Sequence, residues 1–471
     1  MDDDLAMLQE VAKVAIAHRA ETLDAERTLV ADYHTMLAAF ARPTPERGAE
    51  GRAVIDELAR LATPGIRATT GRRFFGWVIG GSDPTGVAAD WLTSIWGQNA
   101  GNLVAAPAAS AVEAVAAGWL LDLLRLPPTA SIGFVTGATV ANLVCLAAAR
   151  GEVLRRVGWD VEADGLFGAP PAHVLIGADA HATVFTGLKC LGLGARRVTV
   201  VETDEVGRMR PAAFERALRT APAGPTIAIA QAGQINTGAS DPFAVLAPIA
   251  AAAGAWLHVD GAFGLWAQAC PAFADQTAGV EAADSWAVDG HKWLQTPYDC
   301  GYAIVRDAEA HRRAMSITAS YLPPAEGAER DPSAYVLELS RRARGFPTWA
   351  MIRRLGREGI AALIERSCRL AARVAAAIAA EPGAALVAPL ALNQFMIRFG
   401  ADAGDAAGDR LTLAVIRAVQ DEAVAFVGGA EWRGRWVMRV SVTSAATTEA
   451  AADETADAMV RAWRRVRAAG V

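Results

Sequence analysis

Between Ser131 and Arg306 the chain alternates short apolar runs with stretches whose apolar positions recur at helical spacing. The runs SIGFV (131–135), HVLIG (173–177), RVTVV (197–201), TIAIA (226–230), WLHVD (256–260), SWAVD (285–289) and YAIVR (302–306) predict seven strands. Strands that are apolar on both faces must be covered on both, and the helices between them are crossovers that keep neighbours parallel. The pattern therefore predicts an α/β fold built on a seven-stranded, mostly parallel sheet. Such sheets bind ligands at the carboxyl ends of their strands.

The flanks read differently. Residues 2–41 predict two helices split near Ala20-Glu21 and stopped at Arg42-Pro43. Residues 43–110 look irregular, rich in Gly and Pro, and aromatic in GRRFFGWVIGGSDP (71–84) and WLTSIWGQNAGN (91–102); a helix follows over Ser110–Leu124. The polar stretch 316–345 reads as a long surface segment. A helix from Pro347 to Ala380 then leads into a smaller C-terminal α/β domain, with strands near 394–399 and 436–442 and a helix near 448–468. The expected organisation is an N-terminal helical segment (1–85), a large domain (86–345) and a small domain (346–471).

Composition narrows the class. With 471 residues, 53% hydrophobic and 20% charged, the chain has ample material for a large core. Its formal charge of −6 leaves no electrostatic footprint for nucleic acid. The uncharged run 242–259 contains Pro248, Gly254 and His258, which fits a short helix and a buried strand rather than a membrane span. The acidic start MDDDLAMLQE lacks the features of a secretory signal. Five scattered cysteines without a C-x-x-C pair point to reduced thiols and a cytoplasmic setting. No closely spaced histidines suggest a metal, so none is expected.

The chemistry gathers at two strand ends. WLHVD closes on Asp260, and SWAVD runs into Gly290-His291-Lys292-Trp293. A lysine among apolar and aromatic neighbours sheds its charge more readily than a surface lysine, and a buried carboxylate needs a cationic partner. The pair suits pyridoxal 5'-phosphate. The Lys292 amine condenses with its aldehyde, and Asp260 keeps the pyridine nitrogen protonated, so the ring becomes an electron sink for a carbanion at the substrate Cα. Without a cofactor, Lys292 is a solvated cation and Asp260 a turn cap. FVTGATVANLVCLAAAR (134–150) passes from strand to Gly-containing turn to helix, where amides and the Thr136 and Thr139 hydroxyls suit a phosphate or form an ordinary cap. Arg341, Arg342 and Arg344 read as a solvated charge run flanking the next helix. Arg72 and Arg73 beside Phe74, Phe75 and Trp77 line a substrate entrance or belong to a packed surface patch.

Taken together, FFGWVIGGSDP, GFVTGATVANL, DAHATVF, NTGASDPF, WLHVDGAFG, DSWAVDGHKWLQTPYDCG and SRRARGFPTWAMIRRLGREG resemble the pyridoxal-phosphate group II amino acid decarboxylases, from Phe74 to the C-terminus. The resemblance implies the type I, aspartate-aminotransferase-like fold and a homodimer, with the N-terminal segment in dimerisation. It implies that Lys292 bonds the cofactor, Asp260 faces the pyridine nitrogen, His181 stacks on the ring opposite Ala262, and Ala138, Thr139 and His291 contact the phosphate. It also implies an α-decarboxylase giving an amine and carbon dioxide. Phe74, Phe75 and Trp77 suggest an aromatic or apolar amino acid, while Arg72 and Arg73 leave an acidic one open. The proton for Cα would come from Lys292, His181 or Tyr335.

Three departures qualify this reading. Tyr335 is the nearest match to the family's loop tyrosine but sits a few residues off. Ala445 stands where aromatic decarboxylases carry an arginine, and Gly233-Gln234-Ile235 where many members have Gly-Thr-Thr. An aldehyde synthase, a decarboxylation-dependent transaminase or another α-carbon lyase is the alternative outcome. A catalytically silent scaffold of the same fold is the non-enzymatic one.

Overall fold

The structure, a computed structural model, describes residues 2–23, 30–317 and 329–470. The chain divides into two compact units. One comprises Gly80–Ala372 with Leu386–Met396, the other Met1–Ile79 with Arg373–Ala385 and Ile397–Val471. The N-terminal and C-terminal parts thus share a unit.

In the larger unit seven strands form one sheet: β1 (Ser131–Val135), β2 (His173–Gly177), β3 (Thr199–Val201), β4 (Thr226–Gln231), β5 (Trp256–Asp260), β6 (Ser285–Asp289) and β7 (Gly301–Val305). Their order is β1-β7-β6-β5-β4-β2-β3. β7 runs antiparallel to both β1 and β6, and the remaining pairs are parallel. The expected seven-stranded, mostly parallel sheet is what forms. A second sheet joins β8 (Ala384–Leu386), β9 (Gln394–Phe399), β10 (Gly428–Trp432) and β11 (Arg435–Ser441) in the order β10-β11-β9-β8.

The helices before the sheet depart from expectation. α1 (Asp2–Leu23) continues through Ala20-Glu21, because both are good helix formers. α2 (Tyr33–Phe40) starts after Asp32, whose carboxylate accepts from the Thr35 amide at 2.8 Å. The stretch read as irregular holds α3 (Gly51–Ala62), α4 (Pro84–Trp96) and the start of α5 (Pro107–Leu123). Pro84 and Pro107 are not breakers here. They sit in the first turn, where a missing N–H costs nothing.

α6 (Ala138–Arg155) covers one face of the sheet, packing Val144, Cys145 and Ala148 into a core with Ile176, Ile229, Trp256 and Ala287. His258 of β5 is wholly buried there. Its Nε2 donates to Asn142 Oδ1 at 2.9 Å, and its Nδ1 lies 2.9 Å from the Ser285 hydroxyl. Burial depresses its pKa to about 3, so the ring is neutral.

Residues 318–328 of the expected surface stretch lie outside the described residues. The part that follows is packed, and its arginines are not a solvated run. Arg341 holds the buried Glu113 carboxylate with two bonds of 2.7 and 2.8 Å. Arg342 pairs with Asp90, and Arg344 with Asp299 at 2.9 Å. Among the described residues no helix is long and apolar enough to cross a membrane.

Candidate active site

Parallel strands deliver their carboxyl ends to one edge of the sheet, and there a cavity of about 400 Å3 opens. Residues at or just past the ends of β1, β2, β4, β5 and β6 line it: Thr136 to Thr139, His181, Gln231, Asp260 and Asp289 to Lys292, Gly290 excepted.

Lys292 sits in the turn joining β6 to β7. The Gly290 and His291 amides donate to Cys300 O, at 3.0 and 3.2 Å, and close this turn. Trp293 and Leu294 are fully buried and anchor it, while Lys292 faces the cavity with 15% of its side chain exposed. Its Nζ lies 2.8 Å from Asp289 Oδ2. Gly80 lies against the same backbone so closely that a Cβ there would fall 2.0 Å from His291 O and 2.5 Å from Lys292 O.

Asp260 ends β5, nearly inaccessible. Burial pushes its carboxyl above the usual carboxylate range, and the charges of His181 and Lys292 oppose that shift. His181 caps the helix Ala182–Cys190, its Nδ1 accepting from the Thr183 amide at 3.3 Å. A neutral His181 therefore carries its proton on Nε2. His291 accepts from the Cys300 amide at 3.2 Å and stacks on Tyr298 with ring centroids 4.3 Å apart. Burial lowers the His291 pKa and pushes Tyr298 up to about 12, with Asp289 adding to the latter. The Tyr298 hydroxyl thus keeps its proton at neutral pH.

At the far side α6 begins on Gly137, which offers no side-chain cap. Its first amide, Ala138 N, donates to Asp289 Oδ1 at 2.6 Å. Beneath the floor, buried Asp241 accepts from the Met209 and Gln231 amides at 2.6 and 2.8 Å and fixes the end of β4.

Seven residues singled out from the sequence line the cavity: Lys292, Asp260, His181, Ala262, Ala138, Thr139 and His291. Four are placed elsewhere. Tyr335 does not line it; its ring packs under Arg330 and edge-on to His311, and its carbonyl accepts from His311 Nε2 at 3.0 Å. Phe74, Phe75 and Trp77 belong to the other unit, where Phe74 stacks on Phe426 at 4.9 Å and Phe75 is fully buried. Core packing claims the first two, and only Trp77 keeps a broad exposed face, at 54%. The sequence reading missed Asp289 and Tyr298. A signal for Asp289 was present, since it closes β6 as Asp260 closes β5.

This donor set suits pyridoxal phosphate. It offers an amine, a buried acid in want of a cation, an imidazole with a methyl group, and a helix start whose side-chain cap is missing.

Residues 34–398 match the model of the pyridoxal-dependent decarboxylase conserved domain. The chain is 28% identical over 361 residues to aromatic-L-amino-acid decarboxylase of Bacillus atrophaeus, covering 75% of this chain and 73% of that protein. It is 28% identical over 351 residues to phenylacetaldehyde synthase of Arabidopsis thaliana, covering 71% and 70%. The crystal structure of Oryza sativa TDC with PLP and tryptamine matches with a TM-score of 0.92 at 23% identity, over 99% of this chain and 98% of that one. That last likeness establishes the fold.

Proposed function

Because the chain belongs to the pyridoxal-dependent decarboxylase family, we propose that its cavity removes the α-carboxylate of an aromatic or apolar L-amino acid, releasing carbon dioxide and the amine. The observation that carries this reading is the convergence of Lys292, Asp260 and His181 on one cavity at the strand ends. When bound, pyridoxal phosphate supplies an aldehyde for a lysine amine and a ring that takes up the electron pair left by departing carbon dioxide.

The protein's share is positional and electrostatic. Asp260 would hold a proton on the ring nitrogen, and that cation would favour the charged form of its buried carboxyl. His181 and Ala262 would flank the ring, and Ala138, Thr139 and His291 would hold the phosphate. The proton that replaces the carboxylate at Cα would come from Lys292, from His181 Nε2 or from Tyr298. The Tyr298 hydroxyl is protonated at neutral pH and lines the cavity that Tyr335 does not reach. Ile235, Phe263 and Tyr298 give part of the lining an apolar character suited to an aromatic side chain.

The test is a screen of L-amino acids for carbon dioxide release, with products identified by mass. Amine from an aromatic substrate, lost in Lys292→Ala, is the expected result. Equal release by Lys292→Ala would sink the assignment. A second reading draws on the position of Tyr335 and on the aldehyde synthase relative. With Cα protonation slowed, dioxygen would oxidise the substrate carbon, and aldehyde, ammonia and peroxide would replace the amine. We place the enzyme in the cytoplasm as a homodimer, supported by five unpaired cysteines and by the family resemblance. Sedimentation of the purified protein as a monomer would overturn the dimer.

A further inference from the structure

We propose that Asp289 is a built-in competitor of the cofactor's phosphate and sets how tightly this enzyme holds pyridoxal phosphate. The inference rests on the reading of the cavity as the cofactor site. Two contacts carry it. Asp289 Oδ1 accepts from Ala138 N, the first amide of α6, at 2.6 Å, and Oδ2 lies 2.8 Å from Lys292 Nζ. One carboxylate therefore occupies both the amide an incoming anion needs and the amine an incoming aldehyde needs. His291 Nε2 stands 3.5 Å from the same Oδ1.

The carboxylate has little room to withdraw. Its side chain is 3% exposed, it has two rotatable bonds, and its backbone is paired with Gly301 in the ladder between β6 and β7. An anion seated on the start of α6 must break the bond to Ala138 and then share the cavity with a nearby negative group. The other lining charges offer little relief. Lys292 and His181 already act on Asp260, Lys292 is also paired with Asp289, and burial lowers the His291 pKa. Like charges at such separations inside a protein oppose each other by far more than they do in water.

An amide at this position keeps the size, loses the charge and turns an acceptor into a donor for a phosphate oxygen. Cofactor-free full-length protein, wild type and Asp289→Asn, would be titrated with inorganic phosphate, pyridoxal and pyridoxal phosphate. Heat release gives the affinities, and absorbance reports the lysine-bound cofactor. Asp289→Asn should bind inorganic phosphate at least about tenfold more tightly than wild type, and should gain more for pyridoxal phosphate than for pyridoxal. Asp289→Ser, which removes the charge with a smaller side chain, should move in the same direction and guards against a folding defect in the first variant. Affinities for phosphate that are unchanged or weaker in both variants overturn the proposal. Lys292→Ala separates the two levels. If it abolishes the lysine-bound absorbance while Asp289→Asn gains nothing, the competitor idea alone falls; if the absorbance persists, the cavity is not the cofactor site and both fall.

Discussion

Replacing Gly80 with alanine should loosen the lysine without touching a single functional group. The added Cβ would sit 2.0 Å from His291 O, 2.5 Å from Lys292 O and 2.8 Å from His291 C, whereas real Cβ atoms essentially never approach closer than 3.0 Å. The two backbones must separate by about 1 Å at the closest of these contacts. All three clashing atoms are main chain, so no rotamer change relieves them. The turn that carries them is braced by the bonds to Cys300 and by buried Trp293 and Leu294. Overpacking of this kind costs about 1–3 kcal/mol, and a misplacement near 1 Å costs on the order of a hundredfold in rate. Urea unfolding of the cofactor-free protein, together with turnover of the saturated enzyme, reads both effects. Gly118→Ala is the control: this exposed helical glycine has nothing within 4 Å, and the change should leave turnover alone while stabilising α5 by about 0.5–1 kcal/mol. A Gly80→Ala enzyme with wild-type midpoint and turnover would refute the reasoning. Lost stability with full turnover would show that the Gly80 segment yields and the lysine does not move.

Three further outcomes are expected. His258 and His311, each depressed to about 3 by burial, stay neutral in the fold but gain a proton at the ordinary 6.5 when unfolded. Their stability is complete above pH 6.5 and drains as pH falls toward 3; at pH 5 the loss is about 2 kcal/mol each, partly offset by roughly 1 kcal/mol from Asp241, whose carboxyl is raised to about 6. Equal urea midpoints at pH 7 and pH 5 would contradict this. Glu113→Ala strands the Arg341 guanidinium, 1% exposed, and should cost about 3–5 kcal/mol; a loss under 1 kcal/mol in calorimetry would mean water reaches the pair. Tyr298→Phe should slow amine formation on the order of a hundredfold or divert product to aldehyde, and an unchanged amine yield and rate would remove Tyr298 as the proton donor.

Legibility in the sequence followed the strength of local constraint. The seven strands were readable because each is a run that only a doubly covered sheet accommodates, and their ends led directly to Lys292 and Asp260. The weakest prediction was RVTVV, which begins pairing only at Thr199, an edge strand with little burial to enforce its start. Helices were lost where a Gly- and Pro-rich composition reads as irregular chain, since Pro84 and Pro107 open helices instead. Arg341 looked solvated because its partner Glu113 is remote in sequence, and remote pairing leaves no local trace. The packing of Tyr335 on His311 and Arg330, and of Phe74 on Phe426, is hidden for a related reason, since most of these partners are remote in sequence. Asp289 was visible yet unread, overshadowed by the lysine three positions on.

The antiparallel β7 carries a consequence for how such a catalyst tolerates change. Gly301 at its start is registered against Val135 of β1 on one side and Asp289 of β6 on the other, and its Cα lies so near Gly137 that a methyl group would clash at 2.5 Å. The span from the α6 start to the Lys292 turn is thereby ruled off by main-chain bonds, like marks on a gauge block. Side chains around the cavity are free to drift toward new substrates, while the ruler beneath them keeps its length.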